Sequence, residues 1–201
     1  FGDVTVAFVG ITTPETFTKS TPAYFQDENG NYIYGIGGSS LPLHMFVQDA
    51  IYGARYEGAD IVIALGHLGD DPASQPWTSE ELIANTTGLD AFIDGHSHST
   101  VPSKVVKDKG GNDVILTQTG EYFDAIGKMV IKADGTISTE LLTEWAGSDE
   151  SVKAIKDEWM TEIDTQLGQV FGYTDIVFDN YDDTGRLVRK METNTGNLAA
   201  D

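Results

Sequence analysis

The chain has no cysteine. Disulfides, zinc–thiolate sites and cysteine nucleophiles are therefore excluded. Basic residues are scarce: Lys and Arg number 12 against 32 Asp and Glu over 201 residues, a formal net charge of −20. A nucleic-acid binder needs a basic face for phosphates, and an anionic membrane surface asks for the same, so neither is expected as a partner. No apolar run approaches the ~18 residues of a membrane span, so no membrane insertion is expected in this segment. There is no signal-peptide pattern, no internal repeat and no low-complexity tract. The chain opens at Phe1 on strand-like residues without a Met and stops at Asp201 in helix-like ones, so it reads as a piece of a longer protein. What is present is enough for a folded core: 40% of the residues are hydrophobic.

The pattern of those residues predicts an α/β fold. Residues 4–11 are apolar and rich in β-branched side chains, which predicts a buried strand. Residues 12–40 are irregular, with a small hairpin over 24–33 around Asn29-Gly30. Leu43, Phe46, Val47, Ala50, Ile51 and Ala54 follow the i, i+3, i+4 rule of an amphipathic helix. Residues 60–66 form an unbroken apolar run, the mark of a strand covered on both faces. Thr78-Ser79-Glu80-Glu81 is a capping box that opens a short helix, with Gly88 as its stop, and residues 91–94 are the next strand. Turn signals at 109–112 and 133–135 divide hairpin strands over 104–140. Val152, Ile155, Trp159, Ile163 and Leu167 trace a helix stripe, with Asp149 and Glu150 at its positive end, and 170–178 reads as a last strand. Strand–helix alternation in the first half predicts parallel pairing with right-handed crossovers, and the second half reads as antiparallel. The polar stretch 179–185 is the expected domain boundary, separating residues 1–180 from 181–201.

Three of the four histidines stand directly after predicted strands. His67 lies in Gly66-His67-Leu68-Gly69, and His96 and His98 lie in Asp94-Gly95-His96-Ser97-His98-Ser99. Ligands of open α/β sheets collect at the carboxyl ends of strands. If the two strands are parallel neighbours, the three imidazoles face one crevice, and a His-x-His can point two nitrogens at one metal or at two adjacent metals. A lone histidine after a strand is as a rule a surface residue; it is the joint arrangement that points to a ligand set. His44 reads as structural. The glycine-rich stretch 35–40 lacks a P-loop lysine and reads as a plain loop. The stretch 180–185 resembles the start of a calcium loop, but position twelve is Met191 rather than Glu.

Five segments add a resemblance. Residues 60–69, 93–99 and Thr117-Gln118-Thr119-Gly120-Glu121-Tyr122 resemble, in order and spacing, the second half of the catalytic domain of bacterial 5'-nucleotidases, a family of calcineurin-like metallophosphoesterases. Gly10-Ile11-Thr12-Thr13-Pro14-Glu15-Thr16 resembles that family's upstream segment, and residues 192–201 resemble the opening of its C-terminal nucleotide-specificity domain. The resemblance implies part of a four-layer αββα sandwich. It implies a site for two divalent metal ions, Zn, Mn or similar, about 3.5–4 Å apart. It makes His67 and His96 ligands of one metal and His98 a ligand of the other, with Asp94 and Gly95 as a supporting loop. It implies a nucleotide or nucleotide-derived phosphoester as substrate, with monoester or cyclic diester hydrolysis as the reaction. The location it implies is extracellular, cell-surface or periplasmic.

The family's first-half motifs, Asp-x-His, Gly-Asp-x-x-Asp and Gly-Asn-His-Glu, do not occur upstream of His67. The resemblance therefore implies a partial metal site, completed by a missing N-terminal half, and a missing C-terminal domain that reads the substrate. An isolated chain of this kind is expected to be inactive. Two other readings stay open at this point: a non-catalytic metal-binding or scaffold module, and a mononuclear zinc hydrolase using the three histidines alone.

Overall fold

The structure, a computed structural model, describes residues 2–37, 41–170, 172–178, 181–182, 185–186 and 191–200. The chain divides into two compact units, Phe1–Trp145 and Ala146–Asp201. The first unit runs β1 (Val6–Thr12), the single-turn α1 (Thr16–Lys19), α2 (Leu43–Tyr56), β2 (Ile61–His67), α3 (Ser79–Asn85), β3 (Ala91–Asp94), β4 (Thr100–Lys107), β5 (Asp113–Thr119), β6 (Ile126–Ile131) and β7 (Ile137–Leu142).

Strands β1 to β5 form one sheet in the order β1-β2-β3-β5-β4. The pairs β1–β2, β2–β3 and β3–β5 are parallel, and only β4 runs against its neighbour β5. The second half is thus not purely antiparallel, as its hairpin pattern predicts. The chain returns along β4, turns at 108–112, and lays β5 between β4 and β3, so that β5 takes the direction of β3. Asp108 makes that turn: its buried Oδ1 accepts the backbone N–H of Gly110 and of Asn112, both at 2.8 Å.

Period-two alternation splits the apolar side chains of the sheet between two cores. Val62, Ala64, Phe92, Val114 and Leu116 face the helices and pack with Val47, Ile51, Leu82 and Ile83. Ile61, Ile63 and Ala91 face the other way and are covered by Met129, Ile131 and Ile137 of the β6–β7 hairpin. The result is a mixed α/β arrangement of helices, a parallel-rich sheet and a hairpin layer. Strand β2 is covered on both faces over residues 61–64, as its unbroken apolar run predicts. Strand β1 is not. Val9 and Ile11 are buried, but Phe8 is 54% exposed, because β1 is an edge strand and the hairpin covers the middle of the sheet.

The helices follow their sequence signals. In α2 the inward stripe is Leu43, Val47, Ile51 and Ala54, while Phe46 turns toward Gly37 in the preceding loop. The Thr78 hydroxyl accepts the Glu81 N–H at 3.4 Å and caps α3, which ends at Asn85, three residues before Gly88. The expected hairpin over 24–33 is a loop closed by one bridge, Gln26 to Tyr32, with Phe17, Phe25, Tyr32 and Tyr34 in edge-to-face or tilted ring contacts.

The second unit holds α4 (Glu150–Leu167), the two-residue strands β8 (Tyr181–Asp182) and β9 (Gly185–Arg186), and α5 (Asn194–Ala200). Asp149 caps α4 by accepting the N–H of Ser151 and of Val152. Residues 172–178 do not form the strand expected there. The Val177 carbonyl is taken up by the Asn194 amide at 2.7 Å. The expected boundary over 179–185 and the glycine-rich stretch at 38–40 lie largely outside the described residues. Among the described residues, no helix is long and apolar enough to cross a membrane.

Candidate active site

Four parallel strands end on the same side of the sheet, and their trailing loops carry the candidate site. His67 is the last residue of β2, and His96 and His98 follow the end of β3 at Asp94. The loops after the two strands pack on each other, and small residues permit it. A Cβ on Gly66 would lie 2.2 Å from the Phe92 ring on the neighbouring strand. Gly69 has φ +72°, and a Cβ there would meet the Ser97 backbone at 2.9 Å. Gly95 sits against His67 in the same way: its Cβ would lie 3.2 Å from His67 Nδ1.

Buried polar groups tie the loops together. The Asp94 carboxylate accepts the backbone N–H of Leu68 and of Gly69, each at 3.0 Å. Gln118, near the end of β5 and 2% exposed, uses Oε1 to accept the Ser97 hydroxyl at 3.1 Å and the Ser99 N–H at 3.0 Å. Ser99 Oγ in turn donates to Asp70 Oδ1 at 2.5 Å. Burial pushes the Asp70 carboxyl up, but the hydrogen bonds from Ser97 and Ser99 outweigh it and hold the group below its usual value.

The His67 and His96 rings meet edge to face with centroids 4.9 Å apart. Burial lowers the His67 pKa, and the neighbouring charges of His96 and His98 lower it further against the pull of Asp94. At neutral pH His67 is therefore an uncharged imidazole with a lone pair available. His96 Nε2 lies 3.0 Å from Glu15 Oε2. Burial raises the Glu15 pKa, yet hydrogen bonds with Lys19, Ser74 and His96 together bring it below the ordinary value. Glu15 is thus an acceptor to which His96 Nε2 donates, so in the neutral ring Nδ1 is the nitrogen with the lone pair. His98 Nδ1 lies 2.6 Å from Glu121 Oε2. Thr13, fully buried, anchors the segment that carries Glu15: its N–H donates to the His67 carbonyl and its hydroxyl accepts the Glu15 N–H.

The structure therefore brings His67 and His96 into contact and sets His98 against Glu121. His44 lies apart in α2, in a surface hollow it shares with Gln48 and Thr87. Sequence reasoning assigned no role to Glu15, Asp70, Gln118 or Glu121. The signal for Glu15 and Glu121 was present: each falls within three residues of the end of a strand that proves to be parallel to β2 or β3. Imidazoles suit a borderline divalent cation such as zinc better than magnesium. The donor type fits a metal, but the shell is incomplete: among the described residues no group of three or more His, Asp or Glu side chains is arranged to hold one.

No family model matches the chain. Over 209 aligned residues it is 26% identical to the trifunctional nucleotide phosphoesterase protein YfkN of Bacillus subtilis; the alignment takes in 98% of this chain and 13% of that protein. It superposes on the 5'-nucleotidase precursor from Thermus thermophilus with a TM-score of 0.67 at 21% identity, over 96% of this chain and 38% of the other. The chain thus spans well under half the length of either. Over nearly its whole length the chain is similar in sequence to the one and in fold to the other.

Proposed function

We propose that this chain is part of a metal-dependent phosphohydrolase of nucleotides, acting on phosphomonoesters or cyclic phosphodiesters. The observation that carries the reading is the pair of touching imidazoles, His67 and His96, at the carboxyl end of a parallel sheet in a 5'-nucleotidase-like chain. In this reading His67 and His96 hold one divalent ion and His98 holds a second, with zinc or manganese as candidates. Bound divalent ions polarise a phosphoryl oxygen and supply a nucleophile at neutral pH.

The chain's own residues orient and tune the donors. Glu15 orients the His96 ring through its hydrogen bond to Nε2, and Glu121 lies against His98. Burial keeps His67 neutral. Asp94 and Gln118 hold the two histidine loops in register. The remaining ligands and the nucleotide-reading residues belong, on this proposal, to other segments of the same protein, with 181–201 leading into its nucleotide-specificity domain. An extracellular, cell-surface or periplasmic location goes with the same reading.

The test is turnover of nucleotides by the 201 residues alone and together with the upstream segment. The chain alone should release phosphate no faster than background with zinc or manganese present. Adding the upstream segment should restore hydrolysis, and His96→Ala should abolish it. Groups that act as a unit lose most of the rate with the first loss. Metal-dependent turnover by the chain alone, abolished by His96→Ala, would replace the two-metal reading with a mononuclear zinc hydrolase. No turnover in either form would favour a non-catalytic module.

A further inference from the structure

Strand β1 pairs with β2 on one side, and its other edge is free. Sheet edges that face water are as a rule guarded by a charge, a proline or a bulge, because their backbone groups recruit other strands. β1 has none of these: it reads Val6-Ala7-Phe8-Val9-Gly10-Ile11-Thr12 and keeps register with β2 over all 7 residues. Alternation decides which of its groups face outward. The Thr5 carbonyl accepts the N–H of Asp60 and of Ile61, and the Thr13 N–H donates to the His67 carbonyl, so the odd-numbered residues turn to β2. The backbone groups of Val6, Phe8 and Gly10 therefore face the free edge.

The layers on both sides of the sheet are open along that edge. On the hairpin side Val6 and Phe8 line an apolar hollow of about 730 Å³ with Met129 and Ile131. On the helix side Ala7 and Val9 line a second hollow, of about 510 Å³, against the small residues Ala50, Gly53 and Ala54 of α2. One added strand, sending alternate side chains to opposite faces, enters both.

The turn that leads into β1 identifies the strand. Residues 2–3 form a turn in which Gly2 has φ +61°, while Asp3 is not among the residues of positive φ. A glycine of positive φ at the first central position marks a two-residue turn that joins antiparallel strands. In such a turn the next residue, Val4, points its N–H at the returning chain. Val6, Phe8 and Gly10 follow Val4 at period two and share its direction. Turn and free edge thus agree on the same side of β1.

We infer that the segment preceding Phe1 in the longer protein runs back along β1 as its antiparallel partner. The two-residue turn sets the register: the residue two before Phe1 stands opposite Val6, and the residue four before stands opposite Phe8. The partner carries apolar side chains on both faces, because each face meets an apolar hollow. This rests on the reading above only in taking the chain as part of a longer protein, a reading supported by its covering 13% and 38% of the two relatives. It adds the place where the upstream segment joins.

The test is amide exchange by NMR in the 201-residue chain and in the protein extended by its natural upstream segment. The amides of Val6, Phe8 and Gly10 should exchange about a hundredfold more slowly in the extended protein. Those of Ala7 and Val9, already turned to β2, should change far less. The register has its own readout, since this chain has no cysteine. In the extended protein, Phe8→Cys should form a disulfide within one molecule with a cysteine placed four residues before Phe1, and not with one placed three before. No slowing at Val6, Phe8 and Gly10, equal slowing of all five amides, or equal cross-linking at both positions would overturn the inference. A Phe8→Cys disulfide between two molecules, with slowing that rises with protein concentration, would give the edge to a second copy and overturn it as well. The two proposals fail separately. An extended protein that releases phosphate but leaves the β1 amides unslowed sinks the strand pairing alone. One that slows them and forms the disulfide, but releases no phosphate, sinks the hydrolase alone.

Discussion

Asp94, the last residue of β3, holds the backbone N–H of Leu68, the first residue beyond β2, at 3.0 Å. One carboxylate thereby joins the two strand ends that carry the candidate histidines. Its second oxygen takes the Gly69 N–H, and the group is 8% exposed. Removing a buried acceptor leaves both amides without a partner. Asp94→Ala should therefore lower stability by about 2–3 kcal/mol, read from urea unfolding at neutral pH. A loss below about 0.5 kcal/mol would mean that water replaces the carboxylate without cost.

Gln118 does the same work for the His-x-His loop from the other side. Gln118→Leu keeps the volume and removes the acceptor for Ser97 Oγ and Ser99 N–H. The expected cost is about 1–3 kcal/mol. Amide exchange at residues 96–99 should accelerate more than in the β1–β2 pair, because the loop loses its anchor while the sheet does not. Uniform acceleration across the first unit would count against a local role.

Gly66 and Phe92 form a steric pair. A methyl group at 66 would sit 2.2 Å from the ring, so the ring or the strand must move. Gly66→Ala should destabilise by about 1–3 kcal/mol, the usual cost of overpacking. Phe92→Leu makes room at that point. The double variant should then be more stable than the sum of the single losses predicts, by about 0.5 kcal/mol or more. Strict additivity would show that the contact is relieved elsewhere.

Asp108 provides a pH test away from the histidines. Burial raises its pKa, but hydrogen bonds from Asn112 and Gly110 outweigh this and hold the folded carboxyl below its ordinary value. A folded value below the unfolded one means that the contribution is complete above about pH 4, the unfolded value. It is lost as the pH falls through the folded value. The stability difference between the native chain and Asp108→Asn should be constant from pH 7 to about 5 and shrink below pH 4. A difference that stays flat to pH 2 would show that Asp108 titrates alike in both states.

Local pattern was enough for most of the elements. The Thr78 cap, the α2 stripe and the continuous apolar run of β2 each state their structure in a few neighbouring residues, because helix and strand periods are local properties. The position of His67 and His96 after strands was legible for the same reason. The place of β5 was not. Whether a hairpin strand pairs inward or outward depends on which sheet edge is free, and that is a property of the assembled sheet. The exposure of Phe8 follows the same rule, since it turns on how far the β6–β7 hairpin reaches.

What the sequence by itself determined is the set of elements and the histidine-bearing loops, through periodicity, caps and glycine positions. Only the tertiary structure decided which carboxylate meets which imidazole. Glu15 and His96 stand 81 residues apart along the chain, as Asp94 and Leu68 stand 26 apart. No local pattern encodes such pairs. They form because parallel strands deliver their carboxyl ends, and whatever residues follow them, to one side of one sheet.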